Sequence, residues 1–337
     1  MSRVNEVDQV TTKMSFWKRN EISGGYLLKK TVKRKCIVIL RAFLMFGLCF
    51  LILQPIFNKI SVSFMLEKDL YDSTVISLPK NFTNYNYHLS AQLLSYWKAL
   101  GNTLWVSTAV SILQVAMCTL VGYGFARFEF PLKKFWFFCV LLVIVIPPQT
   151  ISTSLYLNFR FFDLFGIIES VRGSSLNLRG SILPYFLMCL GCMGLKDGLY
   201  IYMIRQSFRG IPKELEEAAY VDGCGVFTTF LKIMLPDCRA IITACFLFSF
   251  VWQWTDVFYS KMFLGKITLL AGQLNSLGDR LGKYFSSTLG IASGATQGYT
   301  MCIISTGTLM TIIPLIMLYI IAQRGFVESL SQTGIKM

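Results

Sequence analysis

The chain has 337 residues, of which 54% are hydrophobic and only 15% charged, and its mean hydropathy is +0.55. Soluble domains carry about 25% charged residues, so a soluble globular protein is excluded and the composition is that of an integral membrane protein. The formal net charge is +14, and the placement of its Lys and Arg residues decides whether that charge meets nucleic acid or sets topology.

Residues 1–35 form a basic tail with nine Lys and Arg, expected as a flexible segment. The first apolar run begins only at Cys36 and is long enough to span, which argues against a cleaved leader. Spans of about 20 residues each are predicted at 36–57, 102–125, 135–157, 182–205, 240–258 and 300–322. Six spans put both termini on one side, and that side holds nineteen of the 32 Lys and Arg against eleven opposite. The excess places both termini in the cytoplasm and makes the basic charge a topology signal, so no nucleic-acid partner is expected.

Between the first two spans, 58–101 is a mixed polar and aromatic loop on the outer face. The second span carries Gln114 near its middle. Polar groups inside a membrane are costly and line solute paths by default, but packing between helices explains Gln114 equally well. In the third span Pro147-Pro148 removes two backbone donors and kinks the helix, and Gln149 beside it is a path candidate. The fourth span contains Lys196-Asp197-Gly198 near its midplane, the mark of a broken helix facing a polar cavity, with Tyr200 just beyond. The alternative is that Lys196 and Asp197 neutralise each other at a subunit contact. Trp252, Trp254 and Asp256 end the fifth span, either as path residues or as an aromatic belt at headgroup level.

Most cysteines fall in apolar runs and read as small buried hydrophobes. Cys189-x-x-Cys192 has a redox spacing, but its place inside a span favours packing. His88 is the only histidine, so no metal site is expected.

The most patterned stretch is 210–236, a charged amphipathic loop between the fourth and fifth spans. Pro212 suits a helix start, and Glu214, Glu216 and Glu217 occupy the first turns, where the helix dipole favours acids. Leu215, Ala218, Ala219 and Asp222 recur at helical spacing, Gly223 can stop the helix, and a second short helix is predicted to run to Pro236.

Glu217-Ala218-Ala219, Gly223 and Ile233-Met234-Leu235-Pro236 fit without a gap the EAA, Gly and I-x-L-P positions of a known loop. The stretch resembles the EAA loop of ATP-binding-cassette importer permeases, with Cys224 where that family more often has Ala. The resemblance covers 97–337 through the A-L-x-N-T string at Ala99, the Y-x-F-A-R-F string at Tyr123, Ile146-Pro147-Pro148-Gln149 and Arg205-Gln206-Ser207-Phe208. Within the family the chain is similar to the maltose-transporter type of carbohydrate permease, specifically the subunit with a short tail, here 324–337.

That resemblance implies an all-α integral membrane fold with six transmembrane helices, a permease core at 102–323 and no catalytic residues. Gly265-Lys266-Ile267 lacks the upstream Gly and the Ser or Thr of a phosphate-binding loop, so ATP and Mg are expected in a separate ATPase dimer and no cofactor in this chain. Glu217 would pair with a basic residue of that ATPase, and Ala218, Ala219, Asp222, Gly223, Ile233, Leu235 and Pro236 would complete the joint. The other implied partners are membrane lipid, a second, different permease, a sugar substrate, and an extracytoplasmic solute-binding protein touched by 266–298, with Asn275 and Ser276 as contacts. The rival readings are a permease for a polyol or glycerol phosphate, an ATP-independent secondary sugar transporter, and a membrane-anchored signalling or structural protein.

Overall fold

The computed structural model describes residues 15–334 except 23, 76, 164, 165, 289, 292 and 293, and describes side chains there except at 16, 18, 19 and 322–334. Two compact units emerge, Met1–Ser61 and Val62–Met337. In the first, α1 (Phe16–Ile22) is followed by Gly24 and Gly25, both at positive φ, and then by α2 (Tyr26–Phe64), which runs on past the unit boundary. At about 1.5 Å per residue, the 39 residues of α2 are roughly twice as long as the hydrocarbon core of about 30 Å. The predicted span at 36–57 lies inside this helix, and the last ten residues of the expected flexible tail are helical instead. Tyr26 to Lys35 contains no Gly or Pro, and Lys, Arg and Leu are good helix formers, so nothing local stops the helix where hydropathy falls. None of the apolar window of α2 is buried.

The second unit begins with a folded cap. Asn86 Nδ2 donates to the carbonyls of Ser63 and Met65, both at 3.0 Å, and Asn81 N donates to Asp69 Oδ2 at 2.8 Å. The stretch expected as a loop at 58–101 thus contains ordered turns and helix α3 (Tyr85–Leu94). It leads into α4 (Tyr96–Arg127), around which the unit is built. Buried residues of α4 recur as Thr103, Val106, Ser107, Val110, Ser111, Gln114, Cys118 and Gly122, the three-to-four spacing of one helix face. Most are small, which lets neighbouring helices approach closely.

The next segments are broken. Helix α5 (Lys133–Val145) is separated by Pro147-Pro148 and a single turn at Pro148–Ile151 from α6 (Ser152–Arg160), and the segments on either side of the break diverge by 100°. Six residues separate helix α7 (Leu183–Leu190) from α8 (Asp197–Gly210), with Cys192 and Lys196 at positive φ among them. At Gly198 a Cβ would stand 2.7 Å from the Val140 carbonyl oxygen, so only glycine lets α8 lie this close to α5. Helices α9 (Lys213–Val221) and α10 (Val226–Thr229) precede α11 (Arg239–Thr255), which is bent by 76° from the segment before it. Helices α12 (Phe258–Phe263), α13 (Leu270–Asn275) and α14 (Leu277–Thr288) lead to α15 (Gln297–Gly334).

Among the described residues, three helices are long and apolar enough to cross a membrane, or five if each bent pair is one span. The prolines and the break before Asp197 account for the difference from six uninterrupted spans. No strand occurs beyond two isolated bridges among the described residues. The tail expected at 324–337 continues α15 as far as Gly334, and Ile335, Lys336 and Met337 lie outside the described residues.

Candidate functional site

Two clusters sit at the two levels of α4. At its Arg127 end is the helix, glycine, helix loop. Pro212 caps α9, Glu214 and Glu216 lie in its first turn, and the helix stops at Gly223 with φ of 82°. Cys224 N donates to the Ala219 carbonyl at 2.9 Å and Gly223 N to that of Tyr220 at 3.1 Å, which is the paired closure of a Schellman motif. After α10 the chain makes a five-residue π-helical turn, Phe230–Met234, then a last turn through Pro236 to Asp237. Gly223 has open space around it, so its backbone angle alone demands glycine.

The loop is held by a carboxylate that the sequence reading did not single out. Glu216 is buried; its Oε1 accepts from Tyr123 Oη at 2.8 Å, and Arg127 Nε stands 3.0 Å from its Oε2 as an ion pair without hydrogen-bond alignment. Arg127 also donates through its guanidinium to the Ile211 carbonyl at 2.7 Å. Tyr123 packs against Phe208 and Phe230, with ring centroids 5.3 and 4.8 Å away. Ala219, three residues after Glu216, shares the buried face. Glu217, Ala218, Asp222 and Pro236 are exposed, while Ile233 and Leu235 are half-buried. Beside Glu217 the loop exposes Leu215, Tyr220, Val221, Val226 and Phe227, an apolar surface with an acid in it.

The second cluster is a polar layer inside the helices. Gln114, Asp197 and Trp252 each lie thirteen residues from the loop-side end of their helix, at Arg127, Gly210 and Arg239, or about 20 Å at 1.5 Å per residue. Gln114 Nε2 donates to the Leu195 carbonyl at 2.7 Å and to Asp197 Oδ1. Ser249 Oγ donates to Gln114 Oε1 at 2.5 Å and stands 3.0 Å from Ser111 Oγ. Asp197 Oδ2 accepts from Gly194 N at 2.5 Å, and Cys118 Sγ lies 3.5 Å from Oδ1. Gln114 and Asp197 are fully buried, and their bonds bridge the break between α7 and α8. Lys196 does not neutralise Asp197: its side chain is exposed, with Nζ 5.1 Å from the ring centre of Trp252, which is 45% exposed.

The other candidates disperse. Tyr200 is fully buried among Ile201, Ile204 and Phe208. Trp254 is buried and donates from Nε1 to the Thr311 carbonyl at 3.2 Å. Asp256 caps α12, accepting from the amides of Phe258, Tyr259 and Ser260 at 3.1, 3.2 and 2.9 Å and from Tyr185 Oη at 2.6 Å. These three present little or no surface to a solute. Gln149 is exposed at the bend before α6. Asn275 is exposed at the end of α13, whereas Ser276 is half-buried and accepts from Arg280 Nε at 3.2 Å.

Residues 118–328 match the family model described as the inner membrane component of binding-protein-dependent transport systems. The chain belongs to this family. The match begins at Cys118, within α4, and takes in the whole loop. This inner membrane component is 28% identical over 312 residues to the arabinooligosaccharides transport system permease protein of Halalkalibacterium halodurans, covering 90% of this chain and 100% of the relative. It is 25% identical to the trehalose transport system permease protein of Mycobacterium tuberculosis over 84% of this chain and 92% of that one. A crystal structure of a bacterial ABC transporter that imports the acidic polysaccharide alginate superposes with a TM-score of 0.65 at 17% identity, over 87% of this permease and 97% of that chain. The shared fold is the type I importer permease fold.

Proposed function

We propose that this permease carries a carbohydrate across the cytoplasmic membrane, powered by ATP that a separate ATPase dimer hydrolyses. The observation that carries the coupling role is the division of labour at Glu216-Glu217: one carboxylate is buried against Arg127 and Tyr123, while its neighbour stands exposed on an apolar surface. A loop that only joined two helices would need neither the anchor nor the surface. An exposed acid on a loop that also exposes Leu215, Tyr220, Val221 and Phe227 fits a cleft with an apolar wall and a basic group. Motion of that cleft during the ATP cycle would pass through the Glu216–Arg127 contact into α4 and so to the polar layer. ATP and Mg belong to the partner ATPase, and this chain supplies no catalytic group.

Both termini are assigned to the cytoplasm on the distribution of Lys and Arg. A second, different permease completes the path, and an extracytoplasmic solute-binding protein delivers the sugar to the face that carries Asn275. Support for a sugar comes from the arabinooligosaccharide and trehalose relatives, which align along most of this chain. The ATP-independent transporter and the signalling protein do not fit a binding-protein-dependent family.

Glu217→Lys tests the docking role. Placing a cation against the expected basic partner should cost about 2 kcal/mol or more, roughly a thirtyfold loss of ATPase association, with the permease still inserted in the membrane. Co-purification of the ATPase at wild-type yield, together with normal sugar uptake, would falsify that role.

A further inference from the structure

Lys196 is exposed at the level of the polar layer, and no ion pair is formed with it among the described residues. Its sequence neighbour Asp197 is fully buried and engaged by Gln114, Gly194 and Cys118. The left-handed backbone at Lys196, φ 69°, lies at the break between α7 and α8 and precedes the first residue of α8. There the ammonium meets the face of Trp252 at 5.1 Å, a cation–π contact that leaves both groups exposed. Phe248, Trp252 and Thr255 are all exposed on α11 at helical spacing, so the indole that meets the cation belongs to an exposed aromatic and hydroxyl-bearing stripe.

Within the span expected at 182–205, an exposed Lys on a lipid-facing surface would carry a large cost. Water, an anion or a partner subunit must meet it. The pairing of a flat aromatic face with a cation also has a chemical meaning of its own. A ring-shaped solute stacks on an indole, and an ammonium beside that indole selects for a negative group on the same solute.

We infer that Lys196 and Trp252 form a subsite for a solute that joins an anionic group, carboxylate or phosphate, to a sugar or polyol. The inference rests on the reading of this chain as a solute permease and adds the class of solute. Trp252 supports the ring, Lys196 holds the anion, and the Gln114–Asp197 network fixes the helix break that projects Lys196. Holding Asp197 with neutral donors keeps it from cancelling the charge that the solute meets.

The first test needs no knowledge of the solute. Thr255→Cys, with Phe248→Cys as a second reporter, is placed in the assembled transporter after accessible native cysteines are replaced. Anionic and cationic methanethiosulfonate reagents of equal size are then compared. With Lys196 present the anionic reagent should react at least about threefold faster; Lys196→Met should abolish the preference and Lys196→Arg should keep it. Equal rates for both reagents with Lys196 present would overturn the anion subsite while leaving the path reading intact. Inertness of both reporters in resting and ATP-trapped states would overturn the path reading as well.

The second test is uptake into proteoliposomes, with the binding protein present, of uronate-containing oligosaccharides, phosphorylated polyols and neutral oligosaccharides. Lys196→Met should reduce uptake of the anionic class at least tenfold more than uptake of the neutral class. Loss confined to the uronates identifies the carboxylate, and loss confined to the phosphorylated solutes identifies the phosphate. A wild-type transporter that moves only neutral solutes sinks the inference.

Discussion

The coupling loop and the polar layer each bury one carboxylate and expose its sequence neighbour, but they hold the buried acid by opposite means. Glu216 is paired with a cation, Arg127, and with a phenol, while Glu217 faces outward. Asp197 is held by an amide side chain, a backbone N–H and a thiol, with no cation, while Lys196 faces outward. A loop proposed to transmit force between subunits gains from an anchor that is strong and directional. The polar layer uses neutral donors, which fix a helix break and leave Lys196 free for the anionic solute we propose.

The largest effect should come from breaking the charged anchor. Arg127→Met leaves Glu216 buried beside Tyr123 alone and removes the donor to the Ile211 carbonyl, at a cost of about 3–5 kcal/mol. The expected result is a loop open to proteolysis in membranes, with little ATPase retained on purification. The double variant Arg127→Met with Glu216→Leu replaces the pair by apolar groups and should recover part of the loss. A single variant that resists proteolysis like wild type would show that Tyr123 and the aromatic packing hold the loop unaided.

The neutral layer should respond differently. Asp197→Ala strips Gly194 N of its side-chain acceptor and Gln114 Nε2 of one of its two, which costs about 1–3 kcal/mol, read as a lower unfolding temperature of the purified complex. Asp197→Asn keeps the size and one acceptor, while Gln114 keeps its bond to the Leu195 carbonyl, so its loss should be smaller than that of Ala. If Asn proves as damaging as Ala, the negative charge itself is in use and the contrast between the two regions fails.

Much of the coupling loop was legible in the sequence, because its stops are local: Pro212 opens a helix and Gly223 closes it whatever lies around them. The anchor was not, although its parts were in view. Tyr123 and Arg127 stand four apart, on one face of α4, and Glu216 is three residues from Ala219, so helical phase separates a buried 216 and 219 from an exposed 217 and 218. What the phase does not carry is that α4 and α9 meet. The same limit explains the path candidates. Charge at Lys196-Asp197-Gly198 announced the helix break, but whether Tyr200, Trp254 and Asp256 face a cavity or a neighbour depends on packing from distant segments. At the amino-terminal side, hydropathy located 36–57 but not the full extent of α2, because Lys and Arg end an apolar window without ending a helix.

Gly223 offers a smaller test, one that separates shape from charge within the loop. Its surroundings are open, so Gly223→Val suffers only from the left-handed backbone, about 1–3 kcal/mol, whereas Gly223→Asn tolerates that region and should keep most activity. Sugar uptake per ATP hydrolysed is the measurement. Equal behaviour of Val and Asn would remove the positive φ as the reason for glycine there.

The smallest expected effect lies at the opposite end of the molecule, where Asn275 and Ser276 are adjacent in sequence but differ in environment. Asn275 is exposed, whereas the Ser276 hydroxyl lies within reach of the Gly272 and Gln273 carbonyls, each at 3.2 Å, and accepts from Arg280, which in turn donates to the Leu93 carbonyl at 3.1 Å. Ser276 therefore ties α13 to α14 and, through Arg280, to α3, and has little surface left for a partner. Cysteine at 275 should crosslink to the binding protein in an ATP-trapped complex, at several times the yield of cysteine at 276, with no loss of stability at 275. Equal yields would mean that this corner opens when the binding protein docks, and that the hydrogen bonds around Ser276 belong to the resting state alone.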